Sequence, residues 1–406
     1  MARGIALAIA GVLFWLLALA TGWQPAGQVA VGLAVVLLLS AGWVLNNLWR
    51  FSLARPILPQ TTQVGQVLRD TYTLANNSPL PKLDLEIRDR STLPGHRGSA
   101  ICNVGPRQQV EHVVETLCEV RGVFTLGPTS AAGIDPFGLF SIERTLTPAV
   151  PVIVYPQVVD LGGFSMPRSL ITEGTRMRRR TPMQTLDPAG TRPYVYGDSV
   201  RRVHWLSSAH SGELMVKEFE FTPAADVWIF LDLQRFVHVG YGQHSTEEYA
   251  VTAAASLAGH FLALGRSVGL VAAAESKLVV EADRGDRQLL RILDLLARVK
   301  ADGHAPLRDV LWRERGRLNL AAASAVITPS VDERWPSVLL QSARSRTRSA
   351  VLLVEGATFG DAPGATIQVA GLTSARVPTY LIKRSRSVEQ ALKTALDSGR
   401  STPFAP

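Results

Sequence analysis

The stretch "DVWIFLDL" (Asp226–Leu233) is a near-continuous apolar run. Such a run marks a strand buried on both faces, as in a parallel sheet covered by helices. The chain beyond Leu233 alternates between helix and strand patterns accordingly. "STEEYAVTAAASLAGHFLALG" (Ser245–Gly265) opens on a capping box, Ser245 with Glu248 three positions on. Ala250, Ala253, Leu257, Phe261 and Leu264 then recur at helical spacing until Gly265 ends the run. "SVGLVAAA" (Ser267–Ala274) reads as a second strand and "DRQLLRILDLLARVK" (Asp286–Lys300) as an amphipathic helix. "AASAVITPS" (Ala322–Ser330), "AVLLVEG" (Ala350–Gly356) and "TYLIK" (Thr379–Lys383) supply further strands. This alternation predicts a doubly wound α/β domain over residues 223–399.

Ligands of such sheets bind at the carboxyl ends of the strands. There the first strand offers Asp232, Gln234, Arg235 and Phe236, and a later one Thr328, Pro329 and Ser330. A hard divalent ion wants several oxygen ligands with carboxylates among them. Asp232 alone is a poor start, so neither a metal nor a cofactor is expected.

Immediately upstream, Arg192–Phe221 reads "RPYVYGDSVRRVHWLSSAHSGELMVKEFEF". Asp198 suits the N-cap of a short helix with Val200, Val203, Leu206 and Ala209 as its apolar edge and Gly212 at C′. "ELMVKEFEF" (Glu213–Phe221) then alternates as a strand does. Asp198, His204, Ser207 and His210 are residue types used in nucleophilic catalysis. That chemistry needs a base and an orienting partner brought together in space, which adjacency in sequence does not supply. Arg176, Arg178, Arg179 and Arg180 lie just upstream, but Glu213, Glu218 and Glu220 dilute their field, so nucleic acid is not expected as a partner. The favoured reading makes 161–222 an organising linker with a docking face. Arg202 and Trp205 should matter there more than His204 or His210, because Arg and Trp dominate protein interfaces.

Between residues 51 and 160 no stretch shows helical periodicity. "GQVLRDTYTLANNSPLPKLDLEIRD" (Gly65–Asp89) reads as two strands around a turn, with Val67, Tyr72, Leu74, Leu83, Leu85 and Ile87 as the apolar members. "DPFGLF" (Asp135–Phe140) is a tight turn feeding a strand. A small antiparallel sandwich or barrel is expected.

The first 50 residues form two charge-free runs, Gly4–Trp23 and Gln28–Trp49, separated by "QPAG". Each is long enough to cross a bilayer as a helix, and Trp23, Trp43 and Trp49 sit toward the ends, where indoles prefer the interface. Arg3 precedes the first run and Arg50 and Arg55 follow the second. A signal peptide cleaved near "ALATGW" competes for the first run, but the second run directly behind it favours a hairpin. Positive flanks favour the cytoplasm, so a hairpin in the cell's inner or plasma membrane is expected, with the globular domains cytoplasmic. Two cysteines, Cys102 and Cys118, in 406 residues make no disulfide framework and fit a reducing compartment. The net charge of +8 suits an anionic surface.

"RGVFTLGP" (Arg121–Pro128), "DPFGLF" and the Arg192–Glu220 stretch together resemble the bacterial domain of unknown function 58 family. The family's long motif is matched at Arg192, Tyr194, Gly197, Asp198, Arg201, Arg202, Trp205, Ala209, Gly212, Glu218, Phe219 and Glu220. Lys217 stands for a usual Arg, His204 for a usual Asp and His210 for a usual Arg. The resemblance implies a membrane anchor, a β-rich domain and a von Willebrand factor A-like α/β domain. In such domains an Asp-x-Ser-x-Ser strand end holds a metal. Here Gln234 and Phe236 take the serine positions and no Asp follows Thr328, so a site at Asp232, Gln234 and Thr328 is degenerate. Gene neighbourhoods in the family imply a MoxR-type AAA+ ATPase and membrane proteins with transglutaminase-like domains as partners. The expectation is a membrane-anchored, non-enzymatic scaffold or adaptor in which Arg192, Tyr194, Gly197, Asp198, Arg201, Arg202, Trp205, Lys217 and Glu218 either bind a partner or organise the domains. The alternative is a metal-dependent binding module or an uncharacterised enzyme centred on the α/β domain.

Overall fold

The computed structural model describes residues 2–55, 60–162, 188–196, 198, 200, 203–219, 226–321, 323–343 and 348–393. The chain divides into two compact units, one drawn mainly from residues 1–158 and the other mainly from 159–406.

The first unit opens with α1 (Ala2–Thr21) and α2 (Gln24–Leu48). Gly22, at a φ of 67°, makes the reversal between them, and Pro25 sits in the first turn of α2, where its missing N–H costs nothing. Both helices are long and apolar enough to cross a membrane, and most of their surface is exposed rather than packed as a soluble core helix would be.

Ten strands follow: β1 (Phe51–Ala54), β2 (Gln60–Gln63), β3 (Val67–Asn76), β4 (Lys82–Asp89), β5 (Ala100–Val104), β6 (Gln109–Leu117), β7 (Gly122–Leu126), β8 (Thr129–Ile134), β9 (Ser141–Thr147) and β10 (Val150–Tyr155). They form small sheets ordered β1-β3-β6, β2-β10-β7 and β5-β4-β8-β9, antiparallel except for the β2–β10 pair. The Asn77–Pro81 turn carries the chain from one sheet to another, so β3 and β4 are not hairpin partners.

The phase of β3 differs from the expectation. Leu68, Asp70, Tyr72, Leu74 and Asn76 point inward and Val67 is exposed, because the pleat allows only every second residue to face the core. Leu83 is also outside, since a register shift at the start of β4, with Asp84 at φ 52°, breaks the alternation. "DPFGLF" is the expected turn: the Asp135 carboxylate accepts the Phe137 and Phe140 N–H groups at 3.0 and 2.6 Å.

In the second unit, β11 (Pro188–Pro193) pairs with β12 (Met215–Phe219), and α3 (Trp205–Ser211) lies between them in sequence. Then come β13 (Asp226–Asp232), α4 (Thr246–Ala263), β14 (Ser267–Ala273), β15 (Lys277–Asp283), α5 (Asp286–Arg298), α6 (Leu307–Arg313), α7 (Arg315–Leu320), β16 (Ala323–Thr328), α8 (Trp335–Ala343), β17 (Arg348–Val354), α9 (Thr366–Ser374), β18 (Thr379–Ile382) and α10 (Val388–Lys393). Six strands make one sheet ordered β15-β14-β13-β16-β17-β18, parallel except for β15. Every residue of β14 and β16 is buried, as the apolar runs predict. Ser245 caps α4, its Oγ accepting the Glu248 N–H at 3.2 Å. Trp228, Phe230, Val326, Val351 and Leu353 pack with Trp335, Leu339 and Leu311 of the covering helices.

Candidate functional site

Strand order reverses between β13 and β16, and Asp232 and Thr328 stand at the carboxyl ends of those two strands. The structure brings them together. Thr328 Oγ1 donates to Asp232 Oδ2 at 2.6 Å, and the Gln234 N–H donates to Asp232 Oδ1 at 3.0 Å. The Ser330 N–H in turn donates to Thr328 Oγ1 at 2.9 Å. His238 Nε2 lies 3.0 Å from the Asp232 carbonyl oxygen and its Nδ1 3.1 Å from Thr246 Oγ1. Asp232 and Thr328 are both fully buried. The corner is also covered by backbone: Gly303 N–H donates to Leu233 O, and a Cβ at Gly303 would lie 2.4 Å from Ala273 O, so only glycine fits. Burial pushes the Asp232 carboxyl above its ordinary value, and the hydrogen bonds from Thr328 and Gln234 and the nearby His238 only partly oppose this. Phe236 is 78% exposed and brings no ligand atom. What the corner holds is one carboxylate whose two oxygens each accept a donor from the protein.

The Arg192–Phe221 stretch is ordered differently from the expectation. Asp198 does not cap the helix. Its carboxylate receives both Arg192 Nη atoms at 2.7 Å and the Val195 N–H at 3.0 Å, closing a loop rather than opening a helix. The N-cap is His204, whose Nδ1 accepts the Ser207 N–H at 3.1 Å. A ring nitrogen so engaged cannot also take a proton from a nucleophile. Val203 is buried in a bridge to Val216, and the Tyr194 N–H donates to Leu214 O, so the loop is stitched to β12. Gly212 ends α3 in the left-handed region at φ 74°, as expected. Outward lie Tyr196 at 99% exposure, Leu206 at 80%, Trp205 at 66% and Val200 at 65%. Gly197, Arg201, Arg202 and Glu220 lie outside the described residues, as do the side chains of Lys217 and Glu218.

A third arrangement was not foreseen. In the first unit Arg55, Asp70, Asp89 and His96 gather with side chains at most 1% exposed. Arg55 Nη2 is 2.5 Å from Asp70 Oδ2 and 3.6 Å from Asp89 Oδ2, and Nε donates to Asp70 Oδ1 at 3.1 Å. Asp89 Oδ2 also accepts the Tyr72 hydroxyl and lies 3.2 Å from His96 Nε2. Asp89 Oδ1 accepts Ser91 Oγ at 2.5 Å and the Gly127 N–H at 3.0 Å. Ligand atoms of Asp70, Asp89 and His96 lie within 4.8 Å of one another, near enough for a metal. The Arg55 guanidinium, however, occupies the place a cation would take. Burial alone would raise the Asp89 carboxyl, but hydrogen bonds from His96, Ser91 and Tyr72 and the charge of Arg55 hold it well below the usual range. The sequence signal was Asp70, a carboxylate on the inward phase of β3 between Leu68 and Tyr72. Arg55 itself, expected among the flanking charges of the membrane spans, is spent inside this cluster.

Residues 190–355 match the family model described as protein of unknown function DUF58. The matched span takes in both the Arg192–Phe221 stretch and the Asp232 corner. A curated relative, uncharacterized protein YeaD of Bacillus subtilis (strain 168), is 28% identical over 139 residues, covering 34% of this chain and 33% of that protein. The match thus spans about a third of the relative's length. Among solved structures, the CARDB domain of PF1109 from Pyrococcus furiosus aligns with a TM-score of 0.20 at 10% identity, over 26% of this chain and 94% of that one. A complex of zinc 2-glycoprotein and prolactin inducible protein from human seminal plasma aligns at 0.20 and 6%, over 25% and 93%. WR4, a C. elegans MSP family member, aligns at 0.18 and 12%, over 26% and 97%. Alignments this weak carry no argument about fold or function.

Proposed function

We propose that the protein is a membrane-anchored scaffold or adaptor that binds a protein partner through the Tyr196–Leu206 segment and performs no chemistry of its own. The carrying observation is the outward set Tyr196, Val200, Trp205 and Leu206, apolar and wet, with the Arg192–Asp198 ion pair, the His204 cap and the Val203–Val216 bridge fixing described residues beside them. Aromatic side chains on a preformed frame are the material of interface hot spots. The second unit is von Willebrand factor A-like in this reading: its strands run 3-2-1-4-5-6 with one antiparallel edge, and its metal corner is degenerate because Asp232 is enclosed by Thr328 and Gln234. α1 and α2 anchor the chain in the inner or plasma membrane, with the globular units on the cytoplasmic side. The partner class comes from the family resemblance: a MoxR-type AAA+ ATPase, with membrane proteins bearing transglutaminase-like domains nearby.

The test is a pull-down of a purified MoxR-type ATPase by the full chain in detergent. Trp205→Ala with Leu206→Ala is expected to abolish capture while His210→Ala leaves it intact. Capture that survives the double change would remove the docking face from this segment.

A further inference from the structure

We propose that the first unit is not held above the membrane on a tether but is seated in the headgroup layer of an anionic bilayer, through the Asp135–Phe140 loop, the Asn77–Leu83 segment and the Trp49–Arg50 corner. The inference rests on reading α1 and α2 as membrane spans.

There is no slack between the spans and the strands. α2 ends at Leu48 and β1 starts at Phe51. Asn46 Nδ2 donates to Pro81 O at 3.1 Å and Asn47 Nδ2 to Leu83 O at 2.8 Å, while the Leu83 N–H returns to Asn47 Oδ1 at 3.3 Å. Lys82, fully buried, donates through Nζ to the Asn46 carbonyl and to Asn46 Oδ1, setting a cation at the negative end of the α2 dipole. Leu48 enters the same apolar cluster as Phe51, Tyr72 and Leu85. The helix end and the strands are one packed body.

Strands also reach back along the helices. A Cβ at Gly133, in β8, would lie 3.2 Å from Val44 O and 3.3 Å from Asn47 Cβ. A Cβ at Gly4 would lie 3.0 Å from Leu139 O. Gly4 is in the first turn of α1, and Val44 precedes the end of α2 by about one helical turn. The β8–β9 connection therefore runs beside the ends of the two helices, at the level where a span leaves the hydrocarbon.

What this end of the unit exposes fits lipid headgroups. Phe137 is 64% exposed, Leu45 61%, Leu80 52% and Trp49 49%. An apolar groove of about 520 Å³, lined by Gly42, Leu45, Asn46, Leu48, Trp49 and Leu80, opens on the outside of α2 and has room for an acyl segment. The Arg50 guanidinium lies over the Trp49 ring at 4.9 Å, an indole and a cation at the depth where interfacial anchors sit. Arg3 and Arg107 are exposed nearby, the latter through its N–H bond to Ser78 O in the Asn77–Leu83 segment. Among the described residues of these three segments Asp135 is the one carboxylate, and it is buried with its oxygens bonded to its own loop, while Asp84 lies exposed just beyond, so cations outweigh acids within them. Continuity with the spans selects the occupant as lipid.

The test uses the full chain in nanodiscs of phosphatidylcholine and phosphatidylglycerol, in a Cys102→Ser, Cys118→Ala background. Single cysteines at Phe137→Cys, Leu80→Cys, Leu38→Cys and Glu119→Cys carry an environment-sensitive fluorophore. Glu119 follows β6, whose Leu117 pairs with Val67 at the end of β3 remote from Asn76, about 30 Å away at ~3.3 Å per residue. With spin-labelled lipid, the Phe137 and Leu80 labels are expected to be quenched several-fold more strongly than the Glu119 label by headgroup-level quencher. The Leu38 label should respond to mid-chain quencher. A quenched Leu38 label with Phe137 and Leu80 labels no different from Glu119 overturns the seating and leaves the anchor standing. An unquenched Leu38 label overturns the anchor and the seating with it. Phe137 or Leu80 labels shielded from water yet untouched by lipid quencher would mean a protein covers them, which also overturns the proposal.

Discussion

Asp89 and Asp232 are both shut away from water, one in each unit, and their surroundings push them in opposite directions. Asp89 shares its pocket with Arg55, and His96, Ser91 and Tyr72 add hydrogen bonds, so its ionised form is favoured. Asp232 has Thr328 and Gln234 as hydrogen-bond donors, and burial prevails, so its ionised form is disfavoured. A buried carboxylate is thus not one kind of object. A guanidinium in the pocket makes it a structural ion pair; without one, burial outweighs the hydrogen bonds and shifts the group toward its protonated form.

The comparison breaks most visibly at Arg55. Arg55→Met leaves Asp70 and Asp89 buried without their counter-charge, and removing one partner of a buried pair costs about 3–5 kcal/mol. A fall in melting temperature on the order of 10 °C is expected for the detergent-solubilised chain. A loss below about 1 kcal/mol would show that the cluster is hydrated and not a sealed ion pair.

Acidity separates the two sites by sign. The folded value of Asp89 is depressed, so its contribution is present above the unfolded carboxylate value near ~3.9 and is lost as pH falls below it. The folded value of Asp232 is raised, so its contribution is present below ~3.9 and is lost as pH rises toward that raised value. Above pH ~3.9, Asp232→Asn should therefore become relatively more stable against the native chain as pH rises, whereas Asp89→Asn should become relatively less stable as pH rises toward ~3.9 from below. Parallel slopes in paired melts across these ranges would refute the contrast.

Smaller effects are expected at the sheet corner. Thr328→Val removes the hydroxyl that donates to Asp232 Oδ2, and a buried acceptor left short of a donor costs about 1–3 kcal/mol. Adding Mg²⁺ or Mn²⁺ should not raise the melting temperature, because Gln234 and Phe236 offer no hydroxyl and both Asp232 oxygens are engaged. A metal present at about 100 times its dissociation constant would instead add about 2.7 kcal/mol. A metal-dependent rise lost in Asp232→Ala would restore the binding-module alternative.

How far these sites were legible in the sequence depends on the range of the interactions that build them. The parallel sheet was readable because Asp226–Leu233 and its sister runs are near-continuously apolar, as strands buried on both faces are. The antiparallel edge β15 was missed, since "KLVVEAD" is only half-buried and mixes charged with apolar residues. Asp232 and Thr328 were expected at the carboxyl ends of two strands, but their mutual hydrogen bond spans 96 positions and depends on strand order and register. The Arg55 cluster brings Asp70 and Asp89 to an arginine 15 and 34 positions away and carries no local motif beyond a carboxylate on an inward strand phase. Asp198 was misread as a cap because Asp serves both as a cap and as an Arg partner, and nothing local decides between them.

The smallest effect on stability is expected where the largest effect on binding is proposed. Trp205 opens α3 yet is 66% exposed, and Leu206 beside it is 80% exposed. A Trp that locked the helix onto its unit would cost about 3–5 kcal/mol on truncation. An exposed side chain away from caps and ion pairs changes stability by no more than about 0.5 kcal/mol. Trp205→Ala should therefore melt with the native chain, and His204→Ala, which removes the acceptor of the Ser207 N–H, should melt lower than Trp205→Ala. This ordering separates fold from docking within two adjacent positions. A Trp205→Ala chain that melts well below His204→Ala would show the indole packed inside the protein, and the segment would then lose its claim to be a docking face. Unchanged melting with lost capture of the ATPase would place the contribution of Trp205 in the complex, where a buried hot-spot Trp is worth about 2 kcal/mol or more.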